Sequence, residues 1–357
     1  MTMRERLGNA LVCAIFALIA GCVTMLIAKP EYAGIIIACL ITVLIAFLTA
    51  SALNIFLPRK AVKVRITSFS LAGVVFFIAI ISVVIFNLGN ISMFHPHVDA
   101  EETSKLVEIA EKHTLGIEVE EVSTANGTLY GWRLKASGVS ANAKRPVVLY
   151  FCGNGETASK AILRFSENSL WNSVVSGCDV VCFDYPGYGK SSGVPREKSM
   201  KAMAVEAYNY AESLPVNSGT IVMGFSIGTG IAVYAASEAE KVPSGLILIA
   251  PYNSGYDLYN NEFNIFHGPG KLLASYKMPV YKYAGKVKCP TLMIASESDE
   301  IVPIQSSKKL FGEFVSSKTD FMTVEGELHN DLPTSGKVAT KMIAFVGVIR
   351  EEAKRDA

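Results

Sequence analysis

Charge is scarce in this sequence. Asp, Glu, Lys and Arg make up 18% of its 357 residues, hydrophobic residues make up 50%, and the mean hydropathy is +0.34. That is too apolar for an ordinary soluble domain of this length, and far too apolar for a disordered chain. Seven cysteines are too few to staple a small disulfide scaffold, and they show no metal-ligand spacing. There are no internal repeats and no low-complexity tracts. Nucleotide fingerprints are missing as well. Gly189-Lys190-Ser191 mimics the end of a phosphate-binding loop, but Asp184 stands where that loop needs glycine. Gly228-Thr229-Gly230 runs on into Ile231-Ala232-Val233 without the third glycine of a dinucleotide motif. Nucleic acid is excluded by the lack of a basic excess: beyond His95 the chain has 26 Lys and Arg against 30 Asp and Glu, whereas phosphate neutralisation needs a basic face.

Three stretches, 7–28, 32–57 and 66–94, carry no charge at all. Each exceeds the roughly 20 residues that a helix needs to cross a hydrocarbon core of about 30 Å. The expectation is a membrane anchor over residues 1–95 with three transmembrane helices. Arg4 and Arg6 precede the first run and Arg59, Lys60, Lys63 and Arg65 fill the loop between the second and third, while Lys29 and Glu31 alone separate the first two. Basic loops stay cytoplasmic, so the N-terminus faces the cytoplasm and everything after the third crossing lies on the extracytoplasmic side, the periplasm if the membrane is a bacterial inner membrane. The first run also has the look of a secretory signal, and Ile19-Ala20-Gly21-Cys22 resembles a lipoprotein box. The apolar run continues past Cys22 to Ala28, which argues against cleavage there.

A polar stalk over 96–114, with a helical pattern at 101–112, leads into a domain over 115–357, long enough for its own core. Two alternating segments around Asn126-Gly127 predict a β-hairpin. Short apolar runs then alternate with helical stretches: 146–151, 180–183, 220–223, 245–250, 291–295 and 318–324 read as strands, and 198–213 and 229–236 as helices. That alternation predicts a mostly parallel sheet covered by helices, an α/β class. Such sheets place their chemistry beyond the carboxyl ends of the strands, so the residues just after each run are the ones to inspect.

After the third of these runs comes Gly224-Phe225-Ser226-Ile227-Gly228. A serine between a strand and a helix sits on a sharp turn, where glycines on either side remove Cβ atoms that would collide with neighbouring backbone. A serine hydroxyl is a weak nucleophile and needs a base oriented by a carboxylate. Of the five histidines, His329 alone follows a late strand; His95 and His97 abut the third apolar run, His113 precedes the sheet and His267 lies in a loop. Asp299, in Ser298-Asp299-Glu300-Ile301-Val302-Pro303, follows the strand before it, with Glu297 and Glu300 as alternative acids. The order Ser226, Asp299, His329, each after its own strand, is the catalytic order of this fold type. Acyl transfer also needs N–H donors at the developing oxyanion, and Ile227 and Asn154, the latter in Cys152-Gly153-Asn154-Gly155-Glu156, are the candidates.

These five motifs, Phe151 to Gly155, Phe183 to Gly193, Gly224 to Gly228, Ser298 to Pro303 and His329-Asn330-Asp331, together resemble membrane-anchored α/β-hydrolase-domain serine hydrolases of the serine-aminopeptidase-like branch. The resemblance runs from about 119 to 348. It implies the α/β-hydrolase fold, Ser226 as nucleophile, His329 as base and Asp299 as its partner, with no metal or cofactor. It leaves substrate open among esters, thioesters, lipids and peptides. One position departs: Cys152 stands where these proteins usually carry histidine, which implies an altered support for the oxyanion loop. An aromatic-rich segment over 251–290 reads as a cap that could receive an acyl chain or pack onto the sheet. A peptidase would want an acidic anchor for an amino terminus, for which Glu156 and Glu262 are candidates, and a binding protein of the same fold would normally have lost a triad member.

Overall fold

The computed structural model describes the chain from Met93 to Arg355, apart from residues 97, 113–114, 263, 265 and 317, together with Val74 and Ser82. The chain divides into two units, Met1–Ile91 and Ser92–Ala357, and every described strand lies in the second. The three runs expected to span a membrane lie outside the described residues, save Val74, Ser82, Met93 and Phe94. Among the described residues no helix is long and apolar enough to cross a membrane. Met93 and Phe94, placed in the anchor by sequence, are buried in the second unit, where Phe94 packs edge-on against Tyr276 with ring centroids 5.3 Å apart. No charge separates them from the apolar run, but Asn87-Leu88-Gly89-Asn90, just ahead of the boundary between the units, is a cluster of turn-forming residues that marks it in the sequence.

Eight strands, β1 Ile117–Thr124, β2 Gly127–Leu134, β3 Arg145–Phe151, β4 Asp179–Phe183, β5 Asn217–Phe225, β6 Gly245–Ile249, β7 Thr291–Ser296 and β8 Thr319–Val324, form one sheet. Its order is β1-β2-β4-β3-β5-β6-β7-β8. β2 is antiparallel to both neighbours and every later pairing is parallel. The helices are α1 Ala100–Glu111, α2 Ala158–Glu167, α3 Ser169–Val174, α4 Glu197–Ser213, α5 Ile227–Glu238, α6 Gly255–Glu262, α7 Tyr281–Ala284, α8 Ile304–Phe311 and α9 Gly336–Arg355. β3, β4, β6 and β7 are buried along their whole length, which is why they read as apolar runs, with the mutually paired Arg145 and Asp179 at the starts of β3 and β4 as the charged exceptions. β1, at the edge, alternates half-buried and exposed positions after the buried Ile117 and carries Glu118, Glu120 and Glu121, charges that discourage pairing with another chain.

Two local expectations shift. The hairpin turns at Ala125 and Asn126, one residue earlier than Asn126-Gly127, because Thr124 pairs with Gly127. The Thr124 hydroxyl closes the turn, donating to the Gly127 carbonyl at 2.6 Å and accepting the Asn126 N–H at 3.1 Å. The helix of the expected stalk is α1, and it is docked on the domain: Leu106 is fully buried, and Thr103 and Ser159 share a hydrogen bond of 2.9 Å.

A buried ion network joins β2, β3 and β4. Asp179 accepts from Arg133 Nη2 at 2.7 Å, from Arg145 Nε at 2.5 Å and from the Ala136 N–H at 2.9 Å. Burial raises the Asp179 pKa, but bonds from Arg145, Ala136 and Arg133 outweigh it and hold the carboxyl below its usual range. Asp179→Ala leaves Arg145, 4% exposed, without its carboxylate, and is expected to destabilise the domain by about 3–5 kcal/mol in denaturant unfolding. Since the folded pKa lies below the unfolded value of roughly 3.9, this stabilisation is present above that pH and is lost as pH falls through the folded pKa.

Candidate active site

Ser226 lies between the last residue of β5 and the first of α5, with φ 53° and ψ −122°. A side-chain-bearing residue is strained there by about 1–3 kcal/mol, so the surroundings must impose the turn. They do so on two sides. The Ser226 N–H donates to the Ile249 carbonyl at 2.9 Å, tying the turn to β6. The flanking glycines permit the backbone crossing: a Cβ on Gly228 would fall 2.3 Å from the Phe151 carbonyl oxygen and 2.5 Å from that of Cys152, and one on Gly224 would fall 2.5 Å from the Gly228 carbonyl oxygen. The expected reason for the spacing is thus the observed one.

His329 opens the short 3-10 helix His329–Thr334 that follows β8. Its Nε2 lies 2.9 Å from Ser226 Oγ and its Nδ1 lies 2.8 Å from Asp299 Oδ2 and 3.0 Å from Oδ1. A carboxylate can only accept, so Nδ1 carries the proton and Nε2 offers its lone pair to the serine hydroxyl. Asp299 follows β7 and is aimed by its own loop: Oδ1 also accepts the N–H groups of Ile301 at 2.9 Å and Val302 at 2.7 Å. The three residues picked out by their order in the sequence are therefore brought into one hydrogen-bonded line. Of the alternative acids, Glu300 takes a different place, accepting the His329 backbone N–H at 3.0 Å through Oε2.

A cavity of about 410 Å³ opens over Ser226, with Asn154, Ile227, Met93, Leu258, Tyr259 and Glu262 in its wall. Ile227 is the first residue of α5, so its N–H has no intrahelical acceptor and stands at the positive end of the helix. The Asn154 side chain is engaged elsewhere, its Oδ1 accepting from the His95 N–H at 3.2 Å and the Tyr188 hydroxyl at 3.3 Å. Asn154 nevertheless lines the cavity beside Ser226 and Ile227.

Several participants carry no signal in the sequence. Phe225, an unconstrained position of the serine motif, stacks on the His329 ring with centroids 5.0 Å apart. Met93 supplies cavity wall from within what reads as an apolar anchor. The described cap aromatics mostly pack rather than line: Tyr252 and Tyr276 are fully buried and share a hydroxyl hydrogen bond of 2.7 Å, while Tyr259 lines the cavity. Cys152 is 1% exposed, burial pushes its thiol well above the usual range, and its Sγ lies 3.4 Å from Cys182 Sγ, the environment of an inert packed residue. Glu156, a candidate anchor for an amino terminus, is not among the residues lining the cavity and pairs with Arg164.

The described domain matches a family model for the alpha/beta hydrolase fold over residues 146–271. Among curated proteins, lysophosphatidylserine lipase ABHD12 of Rattus norvegicus is 28% identical over 225 residues, 58% of this chain and 56% of that protein. Protein bem46 of Schizosaccharomyces pombe is 29% identical over 193 residues, 52% of this chain and 62% of that protein. The chain thus spans a little over half the length of the curated relatives it matches. The Pyrococcus furiosus esterase Pf2001 superposes with a TM-score of 0.52 at 17% identity, over 68% of this chain and 93% of that one, a likeness of fold. The chain has the α/β-hydrolase fold.

Proposed function

We propose that this chain is a serine hydrolase acting on carboxylic ester or thioester bonds through an acyl-enzyme on Ser226. The observation that carries the reading is the line Ser226 Oγ, His329 and Asp299, with contacts of 2.9 and 2.8 Å, whose serine lines the cavity. His329 takes the Ser226 proton as Oγ attacks the acyl carbon, and Asp299 holds the ring and balances the imidazolium. The N–H groups of Ile227 and Asn154 receive the oxyanion. His329 then protonates the leaving group, deprotonates a water that attacks the acyl-enzyme, and returns the proton to Ser226.

The substrate is a lipid or acylated molecule. Met93, Ile227, Leu258, Tyr259 and Ile301 give the cavity an apolar wall, and the names of the curated relatives include a lipase. The charge-free runs at 7–28, 32–57 and 66–94 anchor the chain in a membrane, with the N-terminus cytoplasmic and the hydrolase domain on the extracytoplasmic side. One experiment reads both: p-nitrophenyl esters of increasing acyl length are assayed on membranes before and after an alkaline carbonate wash. Activity is expected to stay with the washed pellet and kcat/KM to rise by about 10-fold or more from two to eight carbons, as buried methylenes contribute roughly 0.8 kcal/mol each before saturation. Equal rates at all lengths would remove the acyl-chain reading, and activity released by the wash would remove the anchor. A second reading, hydrolysis of an amide next to a free amino terminus, draws on Glu262 in the cavity wall; an aminoacyl p-nitroanilide cleaved faster than the esters would favour it.

A further inference from the structure

The oxyanion loop needs support, because Asn154 can serve only if its N–H holds one direction. Cys152 gives none through its side chain, which faces Cys182. The support lies beneath the loop. Glu156 folds back under Gly153, and its Oε2 accepts the Gly153 N–H at 3.1 Å and the Tyr150 hydroxyl at 3.1 Å. Its Oε1 accepts Arg164 Nη1 at 2.5 Å, and Arg164 Nη2 donates to the Tyr150 oxygen at 2.8 Å. The Arg164 guanidinium, reaching in from α2, lies 4.8 Å from the centre of the Trp171 ring and 5.4 Å from that of Tyr150. Glu156 and Arg164 side chains are 10% and 21% exposed, so this pair is screened from water and held in one geometry.

The backbone of Glu156 completes the arrangement. Its N–H donates to the Gly153 carbonyl at 3.3 Å. That carbonyl belongs to the same peptide plane as the Asn154 N–H, and in a trans peptide the two point in opposite directions. Fixing the carbonyl toward Glu156 therefore turns the Asn154 N–H away from it. One residue thus pins the loop from both sides of Gly153, by carboxylate and by backbone.

We infer that Glu156, clamped by Arg164 and Tyr150, is a positioning residue for the oxyanion loop and sets the strength of oxyanion stabilisation at Asn154. The inference rests on the serine-hydrolase reading of Ser226, Asp299 and His329. Its signature comes from where an oxyanion exists: donors of this kind act in the transition state and little in the ground state, so their misplacement lowers kcat and leaves KM.

The test uses the full-length protein in membranes, with Glu156→Gln, Glu156→Ala and Arg164→Lys. Fluorophosphonate labelling of the wild type at Ser226 is measured first and counts active sites; an unlabelled wild type overturns the hydrolase reading and this inference with it. Steady-state turnover of a p-nitrophenyl ester is then expressed per labelled site. Gln keeps an acceptor for Gly153 but loses the charge that orders Arg164, and kcat is expected to fall about 10-fold; Ala removes both and is expected to approach the roughly 100-fold loss of one oxyanion donor. Arg164→Lys, which keeps the charge without the fork, is expected to fall between wild type and Glu156→Gln. KM stays within about two-fold throughout. A purely structural role would lower the number of labelled sites and the thermal midpoint while leaving kcat per site unchanged, and that result overturns the inference. Where Glu156→Ala yields no folded protein, unchanged kcat per site in both Glu156→Gln and Arg164→Lys overturns it equally.

Discussion

Ser226→Ala is expected to abolish fluorophosphonate labelling and to lower turnover by about 10⁶-fold, and His329→Ala is expected to do the same. The two losses are equal and not additive, because hydroxyl and base act as one unit: without His329 the Ser226 hydroxyl keeps its proton, and without Ser226 the base has nothing to activate at 2.9 Å. The residual rate, about 10³-fold over water, comes from the oxyanion donors and from binding, which neither substitution touches. Folding is expected to survive Ser226→Ala, since the side chain removed is small and its backbone bond to Ile249 remains. Thermal midpoints within a few degrees of the wild type are the control. Labelling that persisted in Ser226→Ala would place the nucleophile elsewhere and would undo the proposed mechanism.

Much of the fold was readable because burial on both faces leaves a strand no choice of composition. β3, β4, β6 and β7 appear in the sequence as apolar runs for that reason, broken at the starts of β3 and β4 where Arg145 and Asp179 pair. The line Ser226, Asp299, His329 was readable because each residue sits at the carboxyl end of its own strand, where the parallel sheet converges. The glycines at 224 and 228 carry their own geometric reason, a backbone approach no Cβ fits. What could not be read depends on which elements touch. Nothing in the sequence says that Phe225 faces His329, that Met93 turns into the cavity, or that Glu156 bends under its own loop to meet Arg164. The cap shows the same limit: an aromatic-rich segment suits a lipid groove and a packed lid equally, and packing settles most of it, with Tyr252 and Tyr276 bonded to each other in the interior. The proposed anchor rests on different physics, since an absence of charge over more than about 20 residues is a property of composition and is argued without any contact.

The choice of acid yields the second large effect. Three carboxylates, Glu297, Asp299 and Glu300, lie within four positions, and the geometry separates their tasks. Asp299 contacts the His329 ring at Nδ1, whereas Glu300 accepts the backbone N–H of the same residue. Asp299→Asn preserves size and leaves an oxygen for the Ile301 and Val302 N–H groups. With that oxygen so engaged, the amide nitrogen is presented to the ring, and Nδ1 must then accept instead of donate. The proton moves to Nε2, which can no longer take one from Ser226, and kcat is expected to fall about 10⁴-fold. Glu300→Gln keeps an acceptor for the His329 N–H and leaves the ring contact intact, so its loss is expected to stay within about 10-fold, the size of one neutral-for-charged hydrogen bond. Glu297→Gln touches neither atom of the histidine in the contacts observed and serves as the reference. Turnover per labelled site for the three variants, measured with one ester, checks the order. If Glu300→Gln matched or exceeded the loss in Asp299→Asn, the orienting acid would be Glu300, and the ring contact seen at Asp299 would have to break before the chemistry began.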